Sequence, residues 1–253
     1  MNGEYALDLI EKGKRIDGRD FLEFRKIEIE KNLIKNAEGS ARVKFGETEV
    51  IASVKFDVDE PFPDTPEEGV LIVNAEFTPL ASPDFEPGPP TEDAIELARV
   101  VDRGIRASKC IKMEELCIKP GEKVWYVFVD IHVINDKGNL LDASALASLV
   151  ALLDAKLPKF DGEKIIRGEF ERNLPVEFKP INVSVCKVKD NFLVDPTLEE
   201  EEIVDAKLSV CVRDDGKICA LQKQGEKELS FEDVEKIIEI ALMKSEEIRK
   251  MVS

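Results

Sequence analysis

The sequence predicts an α+β fold, built as two pseudo-duplicated βα subdomains packed into one compact domain. Three observations carry that prediction. Apolar and polar residues alternate in short runs between Phe24 and Phe77, as half-buried strands require, and a helical period follows Thr91. The same succession, four strands and then a helix, returns between Ile181 and Val252. Finally, 43% hydrophobic and 35% charged residues over 253 positions is globular composition, enough to fill a substantial core. The chain, residues 1–253, reads as one domain with a first half over about 20–156 and a second over about 165–253. The halves share too little sequence to register as a repeat.

The elements follow in order. Residues 24–30 alternate apolar and charged side chains, and 39–45 and 48–56 form a hairpin through Gly46 and Glu47. Residues 57–68 hold six acidic residues, three prolines and no basic one, which makes a surface loop. A fourth strand spans 69–77, and a Pro-rich loop then leads to Thr91, a cap for a helix over 92–111. On that helix Leu97, Val100, Val101, Gly104, Ser108 and Ile111 gather on one face. Arg99, Arg103 and Arg106 fall within about 60° of one another on the opposite face. A strand over 124–134 and a small-residue helix over 142–154 close the first half. Strands at 181–189, 192–194, 203–212 and 217–222 make the second, with a helix over 231–252 that opens on a capping box at Ser230 and Asp233.

Composition narrows the chemistry. Against 36 Lys and Arg stand 53 Asp and Glu, a net charge of −17, which opposes strong RNA or acidic-membrane binding across the whole surface. The longest apolar stretch, 145–153, is too short to span a bilayer, and the N-terminal residues lack a signal-peptide core. Five cysteines with no C-x-x-C pair read as buried thiols of a reducing cytoplasm, and no cofactor or metal site is expected. The one histidine, His132, sits mid-strand, so a histidine-dependent nucleophile is not expected.

Three features stand out. Residues 99–112 carry five basic side chains and one acidic, a local charge of +4. The three arginines suit phosphate oxygens, or alternatively ion pairs with acidic loops of this chain or a neighbouring subunit. The acidic run from Asp195 to Glu202 could hold Mg²⁺ or act as acid and base, but the expected state is a solvated loop. The segment Arg15-Ile-Asp-Gly-Arg-Asp20 turns at Gly18 and offers charges of both signs for an interlocking contact.

Together with Gly39-Ser-Ala-Arg-Val-Lys-Phe-Gly-Glu-Thr-Glu-Val50, Glu96-Leu-Ala-Arg-Val-Val-Asp-Arg103, Asp136-Lys-Gly-Asn-Leu-Leu-Asp-Ala-Ser-Ala145 and Val194-Asp-Pro-Thr-Leu-Glu-Glu-Glu201, that segment resembles the RNase PH-like family. The likeness covers nearly the whole chain and runs nearest to the non-catalytic RNase PH-like subunit of the archaeal exosome. It implies an RNase PH-like fold and a heterohexameric ring shared with a catalytic RNase PH-like paralogue. RNA-binding cap subunits would sit on that ring, which would degrade single-stranded RNA from its 3′ end with phosphate, in the cytoplasm and away from any membrane.

The departures from the active pattern imply that this chain carries no catalytic residue. Active members have Gly-Gly-Thr/Ser-Arg where this chain has Lys137-Gly-Asn-Leu140, so the phosphate-binding arginine is a leucine. The Asp-x-Asp-x-x-x-Asp pattern becomes Asp195, Thr197 and Glu201, and an arginine pair before the helix becomes Glu92-Asp93. What the resemblance leaves is Arg99, Arg103 and Arg106, implied to hold RNA backbone beside the partner's active site. Two alternatives stay open: an exoribonuclease active alone, using Asp195 and Glu201 with a metal, and a purely structural ring subunit.

Overall fold

The computed structural model describes residues 2–252. A short helix, α1 (Asn2–Glu11), precedes the first sheet, whose strands are β1 (Ile27–Lys31), β2 (Gly39–Phe45), β3 (Thr48–Asp59), β4 (Val70–Glu76), β5 (Cys117–Lys119) and β6 (Lys123–Asn135). They lie in the order β1-β2-β3-β6-β4, with β5 paired to β6; β4 runs parallel to β6 and every other pair is antiparallel. Helix α2 (Glu92–Ala107) joins β4 to the 3₁₀ turn before β5 and packs on β4, and α3 (Leu140–Asp154) follows β6. A hairpin of β7 (Lys156–Phe160) and β8 (Ile165–Asn173) leads to the second sheet. That sheet comprises β9 (Ile181–Val188), β10 (Asn191–Val194), β11 (Ala206–Val212) and β12 (Ile218–Gln224), ordered β10-β9-β11-β12. A single turn, α4 (Leu198–Glu201), precedes β11, and α5 (Phe231–Val252) packs on β9 and β11.

The small-residue helix α3 is the centre of the molecule. It touches β2, β3 and β6 on one side and β9 on the other, so it is buried nearly all round and shows almost no amphipathic face. Its Asp142 carboxylate accepts from Asn182 Nδ2 at 2.7 Å, Ser184 N at 2.9 Å and Ser184 Oγ at 2.8 Å, which fastens α3 to the second sheet. Burial pushes that carboxyl above its usual range, against the pull of those hydrogen bonds. Opposite, a Cβ on Gly39 would stand 2.4 Å from the Ala151 carbonyl oxygen and 2.7 Å from Ala155 Cα. Gly39→Ala is therefore expected to force α3 off β2 at a cost of about 1–3 kcal/mol, measurable as a fall in the urea midpoint with unchanged slope.

Several boundaries differ from expectation, each for a local reason. Helix α2 stops at Ala107, not at Ile111, because Ser108 Oγ donates to the Ile105 carbonyl and Lys109 turns left-handed at φ 56°. Strand β1 starts at Ile27 because the Arg25 N–H is spent on the Asp195 carboxylate. Strand β11 starts at Ala206 because residues 203–205 finish the turn after α4. The two runs of four strands and a helix are both present, but β6 enters between β3 and β4, whereas the second sheet has no inserted strand. The β7–β8 hairpin escaped the pattern altogether: β8 is exposed along most of its length and has no apolar alternation to read.

Candidate functional site

The basic face forms as its period requires. Thr91 Oγ1 accepts from the Ala94 N–H at 3.4 Å, and Glu92 and Asp93 complement the positive end of α2. Leu97, Val100, Val101, Gly104 and Ile105 turn inward, leaving Arg99, Arg103 and Arg106 exposed. With Val73 and Asp102 they line an open hollow of about 620 Å³. The three arginines are held differently. Arg106 Nε binds the Asp102 carboxylate at 2.8 Å, and its Nη2 donates to the Leu71 carbonyl. Arg103 Nη1 donates to Gln222 Oε1 at 2.8 Å. Arg99 has no hydrogen bond or ion pair with any described residue. Ion pairing within the chain thus claims Arg106 and leaves the charges of Arg99 and Arg103 available.

The acidic run is not a solvated loop. Asp195 and Glu200 are both 0% exposed, because the N-terminal arginines fold over them. Arg15 is buried, with its Nε 2.9 Å from Glu200 Oε1 and its Nη groups on the carbonyls of Val194 and Asp195 at 3.0 and 2.8 Å. Gly18, at φ +78°, lets the chain turn so that Arg19 Nη1 reaches Asp195 Oδ2 at 3.1 Å. Arg25 adds Nη2 to Asp195 Oδ1 at 2.6 Å and Nε to Oδ2 at 2.9 Å. The Arg25 N–H and Asn139 Nδ2 complete the set, at 2.8 and 3.0 Å. Five donors saturate the lone pairs of this carboxylate, which leaves it nothing to offer a metal or a proton.

Burial works to raise the Asp195 carboxyl, but hydrogen bonds and charge from Arg25 prevail and hold it below its ordinary value. Its folded value thus lies under the unfolded one. The stabilisation is full above about pH 4 and is lost as pH falls through the folded value. Asp195→Asn is expected to cost about 3 kcal/mol at neutral pH. Urea midpoints of variant and wild type should draw together as pH falls below about 4 and the wild-type carboxyl takes up its proton.

Beside this network lies the turn before α3. Gly138 is required there: φ is +88°, and a Cβ would come within 2.6 Å of the Pro196 carbonyl oxygen. Its amides are all engaged within the chain. The Lys137 N–H goes to Thr48 Oγ1 at 3.2 Å, the Gly138 N–H to Asp136 Oδ1 at 2.9 Å, and the Asn139 N–H to Glu201 Oε1 at 3.1 Å. Arg25 caps the carbonyls of Lys137 and Gly138 at 2.7 and 3.0 Å. The adjoining cleft, about 270 Å³, sets Asp93, Glu96, Asp136 and Glu201 against Lys207 as its one cation. Burial pushes the carboxyls of Asp136 and Glu201 upward. A cleft of this charge repels phosphate.

Cys110, Cys186 and Cys211 are buried free thiols, and burial pushes Cys110 up to about 12; Cys117 and Cys219 are only half-buried. His132 lies on the open face of the first sheet, 3.4 Å from Glu76. No helix among the described residues is long and apolar enough to cross a membrane. Sequence reasoning missed Arg25, Glu200 and Gln222. Of these, Glu200 had a readable signal: Thr197 and Glu200 have capping-box spacing, and the structure forms that box.

Models of the 3′ exoribonuclease family match the chain, domain 1 over residues 23–158 and domain 2 over 180–244. The chain is 50% identical over 240 residues to the exosome complex component Rrp42 of Methanothermobacter thermautotrophicus, covering 94% of this chain and 89% of that one. Among solved structures it resembles a chain of the Archaeoglobus fulgidus exosome with RNA bound to the active site. There the TM-score is 0.94 at 46% identity, over 100% of this chain and 98% of the other. It also resembles a chain of an archaeal exosome core, with TM-score 0.89 and 43% identity over 99% and 96%.

Proposed function

The chain belongs to the 3′ exoribonuclease family, and from that membership we propose that it is the catalytically silent RNase PH-like subunit of an archaeal exosome ring. Residues 1–253 act as one RNase PH-like domain. The subunit pairs with a catalytic RNase PH-like paralogue in a heterohexamer that carries RNA-binding cap subunits and degrades RNA from the 3′ end in the cytoplasm. Its own contribution is Arg99 and Arg103, presented to the backbone of single-stranded RNA at the shared cleft. Arg106 shares the face but is neutralised by Asp102 and serves mainly to fix the helix to β4.

The observation that carries catalytic silence is the turn before α3. Oxyanion or phosphate binding needs backbone N–H groups aimed at open space and a nearby cation. Here the three consecutive N–H groups of 137–139 have intrachain acceptors, Leu140 stands where an arginine would, and the cleft is lined by carboxylates. The rival enzyme using Asp195 and Glu201 has no lone pair to use on Asp195.

The test is phosphorolysis by purified components. Single-stranded RNA and inorganic phosphate mixed with this chain alone should yield no nucleoside diphosphates above background. The same RNA with a catalytic paralogue should be degraded, faster once this chain is added and a ring forms. Activity that follows this chain through repurification sinks the silent-subunit reading.

A further inference from the structure

We propose that Gln222, on the second half, is a positioning residue: its side-chain amide aims the Arg103 guanidinium at RNA phosphate while leaving its charge intact. The inference rests on the proposed RNA contact and adds the element that sets its geometry.

Helix α2 and strand β12 meet along a polar seam. Glu96 and Arg103 lie seven residues apart, two turns on one helix face, and Gln222 and Gln224 lie two apart on one face of β12. Gln224 Nε2 donates to Glu96 Oε1 at 2.8 Å. Gln222 Oε1 accepts from Arg103 Nη1 at 2.8 Å, and its Nε2 points at Glu96 Oε1 from 3.5 Å. Arginine only donates and a carboxylate only accepts, so a side chain serving both at once must carry both an acceptor and a donor. A carboxylate at this place would repel Glu96, and a lysine would repel Arg103. The amide fits the seam because it is polar at both ends and uncharged.

The neighbouring arginine shows what the amide avoids. Arg106 is held by a carboxylate at 2.8 Å, which fixes it and cancels its charge. Arg103 is fixed through one Nη, keeps its full charge, and is exposed with its other N–H groups free of any partner among the described residues. A cation oriented in advance loses less side-chain freedom when an anion arrives, and an uncancelled one gains the whole of the attraction.

The experiment uses the assembled ring, a fluorescein-labelled oligoadenylate and phosphate-free buffer, with Kd measured across a KCl series. It compares wild type, Arg103→Ala, Gln222→Leu and Gln222→Glu. Gln222→Leu should weaken binding about three- to tenfold at unchanged salt slope, since the charge remains and only its orientation is lost. Gln222→Glu should flatten the slope by about 0.7, as Arg103→Ala does, because the new carboxylate withdraws one phosphate contact. Ring assembly should match wild type in both, and so should the melting temperature of Gln222→Leu. Wild-type affinity and slope in both Gln222 variants, with Arg103→Ala flattened, would overturn the positioning role alone. Lost assembly or a lower melting temperature in Gln222→Leu would make the residue a structural brace instead. An unchanged slope in Arg103→Ala would remove the RNA contact itself, and this inference with it.

Discussion

Replacing Arg99 and Arg103 together by alanine is expected to lower the assembled ring's affinity for single-stranded RNA by roughly a hundredfold. Each charge-assisted hydrogen bond to phosphate contributes about 1.5 kcal/mol, close to tenfold in Kd. The salt dependence should flatten by about 1.4 units of slope, about 0.7 for each phosphate contact removed from a single strand. Both side chains are exposed, and Arg99 is bound to no described residue, so neither substitution opens a cavity or strands a buried charge. Fluorescence anisotropy over a KCl series measures both quantities, and sedimentation confirms that the ring is whole. Arg106→Ala serves as the internal contrast. Its charge is already matched by Asp102, so it should change the slope little. Wild-type affinity and slope in the double variant, with the ring intact, would establish the structural-subunit alternative.

The second large effect is on folding. Arg15→Ala should destabilise the chain by about 3–5 kcal/mol, because it leaves the buried Glu200 carboxylate without its cation. The carbonyls of Val194 and Asp195 lose their Arg15 donors in the same step, and that of Asp195 keeps only Arg19 Nη2. Arg15→Lys keeps the charge but cannot fork across both carbonyls and the carboxylate, so its loss should fall between wild type and Arg15→Ala. Pairing Arg15→Leu with Glu200→Leu removes both charges and should recover most of the stability, the signature of a paired buried ion rather than of lost volume. Urea unfolding at neutral pH distinguishes the three. A double variant no more stable than Arg15→Ala would show that packing, not charge, dominates there.

This network also fixes the turn before α3. The Arg25 guanidinium makes two bonds to the Asp195 carboxylate and two to the carbonyls of the turn at 137–138. One guanidinium therefore ties the N-terminal segment, the turn before α3 and the segment before α4 together. The turn is held rigid with its N–H groups turned to Thr48, Asp136 and Glu201. Rigidity alone would suit catalysis; the proposed silence rests on the saturation of the amides.

The sequence by itself determined whatever depends on near neighbours along the chain. The strand alternation, the cap at Thr91, the arginine stripe on α2 and the leucine at position 140 are local, since a side chain's face follows from its place in a period of 2 or 3.6 residues. The net charge of −17 was legible too, and so was the local positive excess on one helix face. Tertiary structure decided which charges are spent. Arg15 and Glu200 are 185 residues apart, Arg25 and Asp195 170, and Arg103 and Gln222 119. With 53 acidic residues available, no spacing rule selects the one that an arginine will meet. That choice belongs to the packing of both sheets around α3, which buries Asp195 and Glu200 beneath three arginines and leaves Arg99 and Arg103 in solvent with their charge unspent.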